Sequence, residues 1–149
     1  MEIQKIPESQ KHVYMSLLLL GDEQENMVRR YLSRGELFAL FDPDLKGACI
    51  VTQEAERVYE LKNIAVFPAE QKKGYGRSLM NFLFTRYGLP GNTLLAGTGN
   101  VPTTVGFYEH FGFTRSHIIP DFFLIHYDHP ILEDGVLLRD MVYLKKEWR

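Results

Sequence analysis

The period of the hydrophobic positions changes several times along this chain, and each change marks an element. Glu2 to Ile6 alternates polar and apolar residues and ends at Pro7, the pattern of a short strand. Ser9 to Leu20 and Asp22 to Tyr31 carry apolar residues at helical spacing and are parted by Gly21. They predict two helices, with Asp22 as N-cap of the second and Glu23 and Glu25 near its positive end. Glu36 to Phe41 and Lys46 to Thr52 read as strands around Asp42-Pro43-Asp44, a turn in which the fixed φ of proline fits. A turn near Glu54-Ala55-Glu56 leads into Val58 to Phe67, a strand rich in β-branched and aromatic residues that Pro68 stops.

Beyond Pro68 the period returns to helical. Leu79, Met80, Leu83 and Phe84 recur at that spacing until Gly88, and after the loop Leu89-Pro90-Gly91-Asn92 comes a short strand, Thr93 to Ala96. Gly97-Thr98-Gly99-Asn100 is a loop, and a helix opened by Pro102 runs from Thr103 to Phe111 and stops at Gly112. Phe113 to Ile119 and Leu137 to Lys145 predict two more strands. The segment between them, Pro120 to Gly135, is longer than a hairpin needs. It holds four carboxylates (Asp121, Asp128, Glu133, Asp134) and two histidines (His126, His129), with aromatics interleaved and no cation. It reads as a substrate wall at about 119–137 or as a solvated loop. Lys145 to Arg149 reads as a frayed tail or a contact.

Composition narrows the class. A chain of 149 residues with 45% hydrophobic content makes one compact domain, 1–149, with its own core. A formal charge of −2 gives no nucleic-acid footprint. Cys49 is the only cysteine, which excludes an internal disulfide and cysteine-cluster metal sites. The His126-x-x-His129 spacing is not that of a helical zinc pair, so no metal is expected. Leu17 to Leu20 is too short for a signal peptide or a membrane span, and the expected location is cytoplasmic.

The chemistry gathers at Gln71-Lys72-Lys73-Gly74-Tyr75-Gly76. Two glycines let the backbone turn its N–H groups inward, just before a helix whose first amides have no intrahelical partner. Lys72, Lys73 and Arg77 add positive charge, so the turn is an anion cradle. A dinucleotide fingerprint needs a third small residue where Leu79 stands, and no Walker string exists.

What remains, Gln-x-x-Gly-x-Gly after a strand ending Ile64-Ala65-Val66, resembles the pyrophosphate loop [RQ]-x-x-G-x-[GA] of the GCN5-related N-acetyltransferases (GNAT). Phe107-Tyr108-Glu109-His110-Phe111-Gly112-Phe113 resembles that family's second signature, [LF]-Y-x-x-x-G-F. The resemblance is specific over 58–113. It implies an α+β GNAT fold, a mixed, mostly antiparallel sheet of roughly six or seven strands flanked by about four helices. It also implies acetyl-CoA as co-substrate, with its pyrophosphate on Gln71, Lys72, Lys73, Gly74, Tyr75, Gly76 and Arg77. Pantetheine would lie along a bulged central strand at Ile64, Ala65 and Val66, with Asn100 as a further contact. The Val66 N–H would serve the oxyanion.

Glu60 matches the position of the general base in some members of the family, and a base is needed because an alkylammonium has no lone pair. Its other reading is a surface partner of Lys62 on the same strand face. Tyr108 matches the tyrosine that serves the departing sulfur, the other reading being a core tyrosine. The function implied is direct acetyl transfer to a primary amine of a small molecule. The alternatives are a non-catalytic acyl-CoA sensor and a protein lysine or N-terminal acetyltransferase. The acidic, aromatic segment after Ile119 points to a polycationic amine, or else to a homodimer contact.

Overall fold

The apolar runs at 36–41 and 47–51 leave no polar face for water, so strands made from them must be covered on both sides. The computed structural model, which describes residues 1–149, has that arrangement. In chain order the elements are β1 (Glu2–Lys5), a 3₁₀ segment (Glu8–Tyr14), α1 (Met15–Gly21), α2 (Glu25–Leu32), β2 (Glu36–Phe41), β3 (Leu45–Ala55) and β4 (Val58–Val66). A short 3₁₀ turn (Pro68–Glu70) leads to α3 (Tyr75–Tyr87), β5 (Thr93–Gly99), α4 (Pro102–His110) and β6 (Thr114–Ile119). The chain ends with α5 (Phe122–His126), β7 (Leu132–Glu133), β8 (Val136–Leu137) and β9 (Met141–Glu147).

Seven strands form the main sheet in the order β1-β2-β3-β4-β5-β9-β6, and every pairing is antiparallel except β4 with β5. Alternation sorts the side chains. Phe38 and Leu40 of β2, with Cys49 and Val51 of β3, face Leu79, Met80 and Leu83 of α3 and Val105 and Tyr108 of α4. Leu37, Ala39, Ala48 and Ile50 face Leu17 and Leu18 of α1 and Val28 and Tyr31 of α2. The α+β sheet fold implied by the resemblance is the one observed.

Two irregularities in β4 position everything that follows. The register against β3 slips between Ile50/Asn63 and Val51/Leu61, so Lys62 is an extra, bulged residue. A bulge reverses side-chain parity. Tyr59 and Leu61 pack on the α3 side before it, Ile64 and Val66 after it, which leaves Ala65 on the α1 side. Pairing of β4 with β5 also stops at Leu61/Ala96, while β5 continues alongside β9 to Gly99. The two strands part there and leave a gap in the middle of the sheet.

Several expectations need correction. The helix read as Ser9 to Leu20 is a 3₁₀ segment followed by a short α-helix. Asp22 does not cap α2: Gln24 occupies the N-cap position, and the Asp22 carboxylate accepts side-chain hydroxyls instead. β3 runs through Ala55, so the turn falls at Glu56-Arg57, with Arg57 at φ 61°. The segment after Ile119 is ordered as α5 and the β7–β8 hairpin around a small core of Val101, Phe123, Ile131 and Leu138. The strand expected from Leu137 to Lys145 is two, β8 and β9. The C-terminal residues are a contact: Trp148 packs on Phe84 at 5.7 Å between ring centroids and exchanges backbone hydrogen bonds with Gly91 and Asn92.

Lys11 shows how α2 is terminated. Its side chain is buried, and Nζ donates to the carbonyls of Leu32 at 2.8 Å and Gly35 at 2.7 Å, groups that a helix end leaves without partners. Lys11→Met keeps the length and removes the donor, so it should cost about 1.5–3 kcal/mol of folding stability, the range for hydrogen bonds to a charged group. Urea unfolding of the two proteins checks this.

Candidate active site

Where β4 and β5 part, their inner backbone edges face a cleft of about 950 Å³ that runs from the cradle loop to the β7–β8 hairpin. Phe67 donates its N–H to Lys46 on β3, so Val66, one residue earlier, turns its polar groups the other way, toward the gap. Gln71 Nε2 reaches the Val66 carbonyl from that side at 3.2 Å. By alternation Ile64 also faces the gap, whereas the polar groups of Ala65 face β3. Ile64 and Val66 line the cleft and Ala65 does not.

At one end lies the cradle. The amides from Lys72 through Arg77 meet no backbone carbonyl, and the first α3 turn closes only with Ser78 N–H on Gly74 O at 3.0 Å. Gly74 stands at φ 91° and a Cβ there would meet open space. A Cβ on Gly76 would lie 3.7 Å from Phe107 and otherwise face the cleft. Gln71, Lys72, Tyr75 and Arg77 also line the cleft, Tyr75 held by its hydroxyl on Asp42 at 2.8 Å. Lys73 does not; its ammonium pairs with Glu70 at 3.0 Å. This donor set fits a pyrophosphate.

At the other end stands Tyr108, a buried residue of α4 whose hydroxyl has no hydrogen-bond partner in the protein. Burial, then the nearby charge of Glu133, push its phenol above the ordinary tyrosine value, so it keeps its proton. Thr104 donates to Glu133 at 2.8 Å and Thr103 to Asp134, which ties the β7–β8 hairpin to the first turn of α4. Asn100, exposed ahead of that helix, does not line the cleft.

Glu60 is buried and reaches neither the cradle nor the main cleft; it borders a smaller side chamber of about 210 Å³. There it accepts Tyr143 OH at 2.9 Å and pairs with Lys62 at 2.9 Å. Asp22, Leu61, Lys62, Gly97, Tyr127 and Met141 line both spaces, which therefore adjoin at these residues. Burial raises the Asp22 carboxyl above its usual value, against the lowering effect of hydrogen bonds from Tyr127 and Tyr31. The reading of the sequence missed Asp22 and Tyr143: the first looked like a helix cap, and the second was one position in the strand expected from Leu137 to Lys145.

Of the acids in 119–137, only Glu133 lines the cleft. Asp121 pairs with Arg139 at 2.7 Å, and the Asp128 side chain is 80% exposed beside His129. No group of three or more metal-binding side chains is assembled anywhere in the chain. Cys49 is fully buried in β3, and burial pushes its thiol up to about 12, so no nucleophilic thiolate faces the cleft.

Comparison with known proteins agrees with this geometry. Residues 33–115 match the family described as acetyltransferase (GNAT) domain. An uncharacterized N-acetyltransferase of Bacillus subtilis (strain 168), YvbK, is 38% identical over 131 residues, spanning 86% of this chain and 84% of its own. A Bacillus subtilis acetyltransferase solved in complex with CoA superposes with a TM-score of 0.87 at 34% identity, over 99% of both chains. A GNAT family acetyltransferase from Elizabethkingia anophelis, solved with acetyl-CoA bound, gives 0.87 at 29% identity over 98% of this chain and 97% of its own. The matched family spans more than half of the sequence, including the parted strands and the cradle, and this chain therefore belongs to the GNAT acetyltransferases.

Proposed function

We propose that this protein transfers the acetyl group of acetyl-CoA directly to a primary amine of a small molecule. One observation carries the reading. A backbone edge with unsatisfied donors leads from a phosphate-shaped amide cradle to a buried phenol with no partner, all along one cleft. Gly74 to Arg77 and Gln71 would hold the pyrophosphate, with Lys72 and Arg77 adding charge. The edge at Ile64 and Val66 would hold the pantetheine in the manner of an added strand. When bound, acetyl-CoA supplies an activated acetyl thioester.

The protein supplies donors and proton acceptors. The Val66 N–H, fixed in the sheet, is positioned to stabilise negative charge on a carbonyl oxygen without reorganising. Transfer forms a C–N bond and breaks a C–S bond, and the attacking nitrogen, starting as an ammonium, loses two protons. Glu60, on the wall of the side chamber, is the proposed acceptor for one, directly or through water. Tyr108, protonated at neutral pH, is the proposed donor to the departing sulfur, and the second proton from nitrogen replaces the one it gives. A buried Cys49 supports direct transfer over an acetyl-cysteine route.

Two outcomes test this. Gly76→Val is chosen because a Cβ there meets only Phe107, at ordinary distance. It should weaken CoA binding by about a hundredfold, roughly 2.8 kcal/mol, with little change in melting temperature. Lys72→Ala should weaken it less than tenfold, because an exposed charge is screened by salt. Calorimetric titration with CoA reads both, and retained affinity in Gly76→Val contradicts the cradle assignment.

Tyr108→Phe and Glu60→Gln should bind CoA as the wild type does and lower kcat about a hundredfold, the scale of one acid–base group. A screen of primary amines with acetyl-CoA, followed by product mass, supplies the substrate for that measurement. Unchanged kcat in both variants would contradict the proposed roles.

A further inference from the structure

The side chamber has a charge balance of its own. Lys62 is matched by Glu60 at 2.9 Å, and Arg34 by Glu54 at 2.8 Å. Asp22, which borders both this chamber and the main cleft, has no such match. Its ionisation is governed by burial, two phenols, a backbone amide and the like charge of Glu23, with no cation among them. A partly buried carboxylate without a cationic partner is costly in the free protein and attracts one.

Asp22 is also held for that purpose. Tyr127 OH donates to Oδ1 at 2.5 Å and Tyr31 OH to Oδ2 at 3.0 Å. Each carboxylate oxygen therefore accepts one hydroxyl, the Gln24 backbone amide adds a third hydrogen bond, and the group keeps acceptor capacity. Tyr31 is oriented in turn by Asn63, whose Nδ2 donates to the Tyr31 oxygen at 3.0 Å and to the Leu18 carbonyl at 2.9 Å. Asn63 is 4% exposed and borders the cleft, yet its Oδ1 has no donor in the protein. Only glycine at 21 permits this approach, since a Cβ there would fall 2.3 Å from Asn63 Oδ1. The α1–α2 loop is thus built around a carboxylate and an amide that both lack a complement.

The chamber beyond is small, about 210 Å³, and Met27, Phe122, Tyr127, Met141 and Tyr143 share its walls with the Glu60–Lys62 pair. Arg30 and Arg34 stand on its border, and Arg30 has no carboxylate partner, touching only Met27 and His126. A second ammonium at that end would be repelled. We propose that this chamber is the acceptor subsite, that Asp22 holds the acceptor's ammonium group, and that the subsite selects a compact aromatic or aliphatic monoamine over a polyamine. This departs from the polycationic acceptor that the acids of 119–137 suggested, because all but one of those acids lie outside the cleft. It rests on the acetyl-transfer reading above.

The test uses the full chain with phenethylamine and spermidine as acceptors, acetyl-CoA binding being measured separately by calorimetry. The kcat/KM for phenethylamine should exceed that for spermidine at least tenfold. Asp22→Asn should raise KM for phenethylamine about tenfold or more and leave KM for acetyl-CoA within twofold. Tyr31→Phe, which removes one hydroxyl but keeps the carboxylate, should raise it less; this separates loss of charge from loosening of the loop. Preference for spermidine, no acetylation of phenethylamine, or an unchanged KM in Asp22→Asn overturns the inference while acetyl-CoA is still bound. Failure of the wild type to bind acetyl-CoA overturns the parent reading, and this one with it.

Discussion

The parting of β4 from β5 is the constraint on which the rest depends. A sheet interior satisfies its backbone groups by pairing, and a strand that leaves its neighbour must find other partners or face water. Here β5 keeps β9 while β4 keeps β3, so the inner edges beyond Leu61 and Ala96 are left without a strand partner. The bulge at Lys62 accompanies the separation. It turns Ile64 and Val66 to the side of α3, where the cradle lies, and sends Asn63 back toward α1 and the Asp22 network.

Both ends of the cleft then follow from what the separated strands carry. β4 runs through Pro68–Glu70 into the cradle, so the strand edge and the α3 amides are joined by a few residues and cannot drift apart. On the other side β5 leads into α4, which brings Tyr108 over the gap, and Thr103 and Thr104 fasten the β7–β8 hairpin across its far end. The small core of Val101, Phe123, Ile131 and Leu138 stabilises that cover, a role for which the interleaved aromatics of 120–135 are suited.

How much of this could be read from the chain varied with its cause. The cradle was legible because glycine spacing before an amphipathic helix has a local meaning, and so was the double-faced core of β2 and β3. The Glu60–Lys62 pair followed from strand alternation. Asp22 was misread because an acid before a helical period looks like a cap, and nothing local tells that two tyrosines, at 31 and 127, will claim its oxygens. The bulge was expected from family resemblance alone, since an extra residue leaves no mark in composition. The acids of 119–137 misled for the opposite reason: their density is visible, but their partners, Arg139, Thr103 and Thr104, lie on other elements.

Amide hydrogen exchange with and without CoA tests the central claim most directly. In the free protein Ala65 and Phe67, bonded to β3, should exchange slowly, and Ile64, Val66 and Lys72 through Arg77 should exchange fast. Adding CoA should slow that second set selectively, because those amides gain the ligand as their acceptor. Protection confined to other segments, or amides at Ile64 and Val66 already slow in the free protein, would contradict an open strand edge as the binding surface.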